Sequence, residues 1–340
     1  MDDIADPDFK LDELGVCNYC HFAASQVNAR RIMRDVRPWL IHEIQQAGQG
    51  KKYDCLIGLS GGVDSSYALH LLVESGLRPL TFQVDNGWNT PEADENIMRL
   101  VEGLKVPLYR YTIDLKKFKE LQRSFIMSGT ANVEIPTDHI LMAATYDMAR
   151  KYNIKTVISG GNWQTEGTMP AAFGYQARDL LFIKAVYKQF IHKQLTGLPT
   201  ISLFQYLYCR FILGIKVVNL LDYYEYNRTR AIKTLEKEYG YKPYGEKHAE
   251  STFTKWFQNV YLPERFGIDK RKPHLSSLIH SGQMTREQAM QELAKPPENI
   301  ENEATAFLHQ FPKKTYKDYP NSEKWWNLLT RLYAYLPRKN

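Results

Sequence analysis

The segment Ser60-Gly61-Gly62-Val63-Asp64-Ser65-Ser66 restricts what this 340-residue chain can fold into more than any other stretch. It follows an apolar run, Tyr53 to Leu59, that reads as a buried strand, and it leads into Ser65 to Ser75, which reads as a helix. Adjacent glycines at a strand-to-helix junction let backbone amides approach an anion with no Cβ in the way. The helix that follows offers unpaired N–H groups and the positive end of its dipole. Ser60, Ser65 and Ser66 add hydroxyl donors, and Asp64 is well placed to hold a magnesium ion against phosphate oxygens. By this reasoning the string is a pyrophosphate cradle. The Walker spacing Gly-x-x-x-x-Gly-Lys is absent, and so is the Gly-x-Gly-x-x-Gly dinucleotide fingerprint. The competing reading is a glycine turn with ordinary Asp and Ser caps, and its position at a strand end, where doubly wound sheets bind ligands, weighs against it.

The remaining pattern supplies the sheet. Strands are expected at Leu80 to Val84, Leu108 to Ile113, Thr156 to Ser159 and Lys216 to Leu220, and helices at Pro91 to Leu104, His139 to Tyr152 and Tyr226 to Tyr239. Strands alternating with helices imply an α/β fold with a doubly wound parallel sheet. Three regions are expected: a cysteine-containing segment and helix over 1–50, the α/β nucleotide domain over 51–240, and a helical C-terminal region over 241–340. An apolar content of 44% with 13% aromatic residues excludes a disordered chain. A net charge of +6 suggests an anionic partner. The acidic start, Met1 to Glu13, lacks the features of a signal peptide, so a cytoplasmic protein is expected.

Leu198 to Leu221 is the most apolar stretch, but Gln205, Arg210, Gly214 and Lys216 interrupt it, and a transmembrane span is rejected. With Lys184, Lys188 and Lys193 nearby and no carboxylate from Leu180 until Asp222, the region suits either a buried helix with snorkelling lysines, the favoured reading, or a basic surface near lipid or another subunit.

Ser-Gly-Gly-Val-Asp-Ser resembles the PP-loop signature of the ATP pyrophosphatases, the adenine nucleotide alpha hydrolase-like group, which cleave ATP between the α and β phosphates and adenylylate an oxygen of their substrate. Asp85-Asn86-Gly87 resembles the loop that receives adenosine in that superfamily, and Gly160-Gly161-Asn162 with Glu166 resembles the later glycine loop and acidic residue that complete the site. Four further segments, Tyr244 to Phe253, Phe266 to Lys272, His274 to Ile279 and Ser281 to Glu287, are similar in order and wording to the N-acetyl sugar amidotransferases of bacterial surface polysaccharide biosynthesis. That resemblance implies an enzyme using ATP and Mg2+ to convert the N-acetyl group of a nucleotide-linked sugar into an acetamidino group, as in lipopolysaccharide O-antigen. It also implies ammonia from a separate HisH-like glutaminase, and no nucleic-acid partner. Onto this sequence it carries Asp64, Lys247 and His248 as catalytic candidates. Ser60, Gly61, Gly62, Asp64, Ser65, Ser66, Asp85, Gly161 and Glu166 are carried over as nucleotide-binding, and Glu250, Lys270 and Arg271 as substrate-binding.

Cys17 and Cys20, followed by His21, are zinc-ligand candidates, but family members often carry a further Cys-x-x-Cys upstream and no fourth ligand presents itself here. Cys55 and Cys209 fall in apolar runs and read as small core residues rather than as a glutaminase nucleophile. Two rival functions remain at this level: a PP-loop enzyme that thiolates tRNA, and a non-catalytic nucleotide-binding scaffold for a glutaminase.

Overall fold

A computed structural model describes residues 6, 8–170, 173–244, 250–298, 300 and 302–335. Five strands, β1 (Cys55–Gly58), β2 (Pro79–Asp85), β3 (Leu108–Thr112), β4 (Thr156–Ser159) and β5 (Lys216–Asn219), form one parallel sheet in the order β3-β2-β1-β4-β5. Successive side chains of a strand point to opposite faces, so each sheet face has its own core. Leu56 and Val157 face a core that includes Phe82, Phe118, Phe125 and Phe182. Cys55, Ile57 and Ile158 face the other, with Leu69, Leu72, Ile97 and Leu235.

The helix Pro91–Leu104 has the bounds its sequence suggests: Thr90 caps it, accepting from the Ala93 amide at 3.2 Å, Pro91 takes a first-turn position, and Lys105 ends it in the left-handed region. The sixth helix, Ile135–Lys151, begins one turn before the expected His139 because Pro136 suits a first turn, where its missing N–H is not needed. A helix that sequence reading passed over, Leu115–Ser128, hides its apolar residues among charges. Phe118, Leu121 and Phe125 are buried at helical spacing, and Asp114 caps the Lys117 amide at 3.1 Å.

The apolar stretch is not a buried helix. It divides into helical turns Leu203–Leu207 and Tyr208–Ile212, a left-handed Gly214, and then β5. Phe204, Tyr208, Phe211 and Ile212 are exposed, and within the two turns only Cys209 is fully buried. Ten helical residues that end at a glycine can cover the sheet with one side only. No described helix is long and apolar enough to cross a membrane.

Beyond residue 240 the chain shares the sheet's core. Phe253, Trp256, Phe257 and Tyr261 pack in the cluster that holds Leu56 and Phe82. His139 ties two connections together, its Nδ1–H donating to Ala177 O at 2.7 Å while Nε2 accepts from the Ile201 amide at 3.3 Å. Burial holds its pKa below the ordinary value of 6.5. The unfolded chain therefore binds a proton more readily than the folded one. Stability contributed by neutral His139 is complete above pH 6.5 and is lost as pH falls toward the lower folded value. Urea midpoints measured from pH 7.5 down to 5.5 are expected to fall more steeply for wild type than for His139→Gln.

Candidate active site

β1 and β4 are neighbours, yet the chain leaves them toward opposite edges of the sheet, so the crevice at their C-terminal ends is the topological switch point. The Ser60–Ser65 loop descends from β1 and Gly160-Gly161 from β4, and together they line a cavity of about 270 Å³. Glu166, Arg228, Tyr244 and Glu250 complete its wall. A larger cleft of about 670 Å³ shares Ser60, Gly160 and Glu250 with it and runs past Asn86, Glu134 and Arg178 to Lys270.

Two glycines are required by contact. Gly61 has φ +83°, and a Cβ there would lie 2.5 Å from the Ala93 carbonyl oxygen. At Gly160 a Cβ would lie 2.9 Å from the Ser65 backbone nitrogen. The Gly61 carbonyl accepts the Tyr244 hydroxyl at 2.6 Å and the Tyr241 hydroxyl at 3.1 Å. Among the described residues no side chain caps the helix Val63–Glu74 at its N-cap Gly62, and its first-turn N–H groups point toward the place an anion would take. Burial raises the pKa of Tyr241 to about 12. Tyr244 is pushed up further by burial and then by the Glu250 charge, so both hydroxyls stay donors.

Asp64 sits in the first turn of this helix and is held on both oxygens. Oδ1 accepts the Tyr226 hydroxyl, and Oδ2 accepts Asn162 Nδ2 at 3.1 Å and Thr165 Oγ1 at 3.4 Å. Burial and the Asp64 charge push the Tyr226 pKa upward, which keeps that proton on the phenol. The Asn162–Gly167 turn is fixed from outside: Asp222 accepts the Trp163 amide at 2.7 Å and pairs with Arg30 of the helix Asn18–Asp35 at 3.0 Å. From the C-terminal side, Ser281 Oγ donates to Gln164 O at 2.9 Å and Ser277 Oγ accepts the Thr168 amide at 3.0 Å.

Ser60, Gly62, Asp64, Ser65, Gly161 and Glu166 all line the smaller cavity, and Glu250 reaches it from the C-terminal region. Ser66 does not line it. One residue further round the helix, it is fully buried in the core and its Oγ has no partner among the described residues. Asp85 is exposed, its carboxylate accepting the Gly87 amide at 3.2 Å, and the neighbouring Asn86 lines the cleft instead. Lys270 borders the larger cleft. Arg271 is clamped on Asp269 at 2.7 Å and donates to Lys295 O at 2.7 Å, and it lines neither cavity. Lys247 and His248 lie outside the described residues. Sequence reading missed Tyr226, Arg228 and Tyr244. A tyrosine in an apolar, aromatic-rich run carries no local sign that it will meet a carboxylate 162 positions away.

Asp64, Glu166 and Glu250 offer hard oxygen donors at one cavity. Magnesium is commonly held by one or two carboxylates together with phosphate oxygens, and the donor set fits it. Among the described residues no three His, Cys, Asp or Glu side chains are placed to hold a metal by themselves. The Cys17 and Cys20 sulfurs lie 3.3 Å apart at the start of the helix Asn18–Asp35, while His21 turns to Asp12 at 2.7 Å.

Strand order and switch-point cradle define a doubly wound α/β protein, with the Ser-Gly-Gly-Val-Asp-Ser loop, which resembles the PP-loop signature, placed at the switch point. Within that class, residues 250–312 match the family described as LPS biosynthesis protein WbpG-like, C-terminal domain, a stretch that contains three of the four segments carrying the sugar amidotransferase resemblance. An uncharacterized protein of Methanocaldococcus jannaschii, MJ1599, is 24% identical over 249 residues, 73% of this chain and 75% of that protein. Among solved structures, NMN synthetase from Francisella tularensis aligns with a TM-score of 0.36 at 14% identity, over 76% of this chain and 95% of that one. NH3-dependent NAD synthetase from Campylobacter jejuni aligns at 0.33 and 14%, over 79% of this chain and 99% of that one. The strand order, not these alignments, carries the fold.

Proposed function

We propose that the protein is an ATP-dependent amidotransferase of lipopolysaccharide or other surface-glycan biosynthesis, which converts the N-acetyl group of a nucleotide-linked sugar into an acetamidino group. The observation that carries this reading is the junction of the two signatures. Glu250, first residue of the WbpG-like stretch, accepts a hydrogen bond from Ser60 of the glycine cradle at 3.4 Å. Ser251 bridges to Asn89, and Thr254 Oγ1 donates to Glu134 Oε1 at 3.1 Å, so the same stretch also walls the larger cleft.

An amide carbonyl is a poor electrophile and oxide a poor leaving group, so ammonia alone cannot replace the oxygen. In the proposed reaction the acetamido oxygen attacks the α-phosphorus of ATP, the bond to the β-phosphate oxygen breaks, and pyrophosphate leaves as the amide nitrogen gives up its proton. Ammonia then adds to the imidate carbon of the O-adenylyl intermediate, AMP departs with the oxygen, and the amidine remains. The loop amides and the Ser60 and Ser65 hydroxyls receive the charge that develops on pyrophosphate. Asp64 and Glu166 would hold the magnesium ion, which supplies charge neutralisation at the phosphates. Glu250 stands between cradle and cleft, in position to orient the acetamido group, and Lys270 borders the region where the sugar's anionic part would lie. Fixed alignment of attacking oxygen and phosphorus is the main catalytic contribution, and no covalent enzyme intermediate is needed.

Both buried cysteines support a separate ammonia source. Cys55 is wholly buried and burial raises its thiol pKa, and the same holds in direction for Cys209, whereas a nucleophilic cysteine needs a lowered value. The test is incubation with ATP, Mg2+, ammonium and a panel of nucleotide-linked acetamido sugars. Release of AMP and pyrophosphate, with a product in which NH replaces O, is the expected result. ATP turnover with no modified sugar would refute the amidotransferase reading.

Gly160→Ala sets a sharper condition on the cradle. The added Cβ meets backbone, not a flexible side chain, so β4's loop must move away from Ser65. A displacement of this kind is expected to lower pyrophosphate release by about 10²-fold, measured in single turnover, with the circular dichroism spectrum unchanged.

A further inference from the structure

Beside the larger cleft lies an outer cavity of about 740 Å³, and two residues, Asn132 and Arg178, line both. The backbone on either side of Arg178 is anchored. Ala177 O accepts from His139 Nδ1 at 2.7 Å, and the fully buried Asp179 caps the helix Leu180–Ile191, accepting the Leu181 and Phe182 amides at 3.1 Å each. The Arg178 guanidinium stands 5.6 Å from the ring centre of Tyr206, which lines the cleft, and 4.8 Å from that of Trp326, which lines the outer cavity.

Arg178 is half-buried and forms no ion pair among the described residues. Of the five N–H donors of a guanidinium one is used, toward the Tyr206 hydroxyl at 3.4 Å. The adjacent carboxylate, Asp179, is taken by the Tyr175 hydroxyl and the Ser322 amide, both at 2.6 Å. Trp326 gives an independent sign of a ligand. It is 3% exposed, and its Nε1–H is buried with no partner among the described residues, although buried donors are nearly always satisfied. Lys314 and Lys317 also border the outer cavity, against Asp8 and Glu323, and Glu323 accepts the Tyr316 hydroxyl. Tyr316 stacks on Tyr175 with ring centres 3.9 Å apart, so part of the wall is aromatic.

We propose that Arg178 binds the diphosphate of the nucleotide-linked sugar, with the nucleoside in the outer cavity and the acetamido group reaching along the cleft toward Glu250. The inference rests on the substrate class proposed above and adds where that substrate is held. A guanidinium fork pairs with phosphate oxygens through two N–H groups at once, and aromatic walls suit a base. The cavity's volume is in the range of small-molecule sites. The reaction itself asks for a second phosphate site, because the cradle receives the pyrophosphate of ATP and two polyanions repel at short range. Glu134, Asp138 and Glu250 of the cleft oppose movement of the sugar's diphosphate toward the cradle, while Arg178 holds it at the far border.

The test is calorimetric titration of the full chain with UDP, dTDP, GDP and CDP, with and without a saturating non-hydrolysable ATP analogue. At least one diphosphate is expected to bind while the analogue is present. Arg178→Gln is expected to weaken that binding about ten- to a hundredfold, and Arg178→Lys, which keeps the charge and loses the fork, by less. Affinity for the analogue and the thermal midpoint should stay as in wild type, whereas a merely structural arginine would lower the midpoint and leave diphosphate binding in the folded variant unchanged. Equal diphosphate affinity in wild type and Arg178→Gln would overturn the proposal. So would a wild type that binds none of the four, or one that binds them only without the analogue, which would place the diphosphate in the cradle. Arg178-dependent binding without conversion of any acetamido sugar would support this subsite and count against the amidotransferase reading alone.

Discussion

Replacing Asp64 by alanine is expected to abolish AMP formation while the protein stays folded. Removing a group that acts on developing phosphate charge costs about 10² to 10³ in turnover. The carboxylate is the meeting point of the Tyr226 hydroxyl, Asn162 Nδ2 and Thr165 Oγ1, and because Asn162 and Thr165 have second acceptors in Gly160 O and Asn162 Oδ1, alanine strands chiefly the buried Tyr226 hydroxyl, at a cost of about 1–3 kcal/mol in stability. Activity and stability can be separated with a second variant. Tyr226→Phe removes one of those hydrogen bonds and keeps the carboxylate, and it is expected to keep most of the turnover while lowering the thermal midpoint. Near-wild-type AMP release by Asp64→Ala at saturating ATP and ammonium would remove Asp64 from the mechanism. Loss of the fold in that variant, with full activity in Tyr226→Phe, would recast it as a structural anchor.

The second large effect lies in the source of nitrogen. The purified chain is expected to use ammonium and to be inert with glutamine. Cys55 is fully buried on β1 and Cys209 is buried within the turn Tyr208–Ile212, and both thiols are pushed away from the thiolate by burial. Because the unprotonated form attacks, ammonium-driven turnover is expected to rise with pH until other groups titrate. Cys55→Ala with Cys209→Ala should keep this activity, and adding a glutaminase partner should restore glutamine use at neutral pH. Glutamine-dependent product formation by the single chain, lost in either cysteine variant, would overturn the division of labour.

Much of the scaffold was legible because it depends on local chemistry. Thr90, Pro91 and Lys105 bound one helix by capping and by φ preference alone. Thr156–Ser159 is a strand in sequence and in structure because a short β-branched run between helical segments has few other places to go. The reading failed where the same residue types fit two environments. Leu198 to Leu221 is apolar enough for a core helix, but its helical part became an exposed face, since Gly214 breaks it, while its end, Lys216–Asn219, is the fifth strand expected beside β4. Among the cradle's hydroxyls, Ser65 and Ser66 are alike in sequence, and only the rotation of the helix put Ser65 at the cavity and Ser66 in the core.

The sequence by itself determined that a glycine loop would join strand to helix at the end of a parallel sheet, because the torsional freedom of Gly61 and the periods of the flanking runs are local properties. It also determined the order of the C-terminal segments that match the WbpG-like domain. Tertiary structure alone decided which groups face the cradle. Glu250 reaches Ser60 across 190 positions, Tyr226 reaches Asp64 across 162, and Arg30 steadies the Trp163 turn through Asp222. No local spacing encodes such contacts. They form when helices on both faces of the sheet bury their apolar sides together, and their polar ends then have to find partners among whatever the packing has brought near.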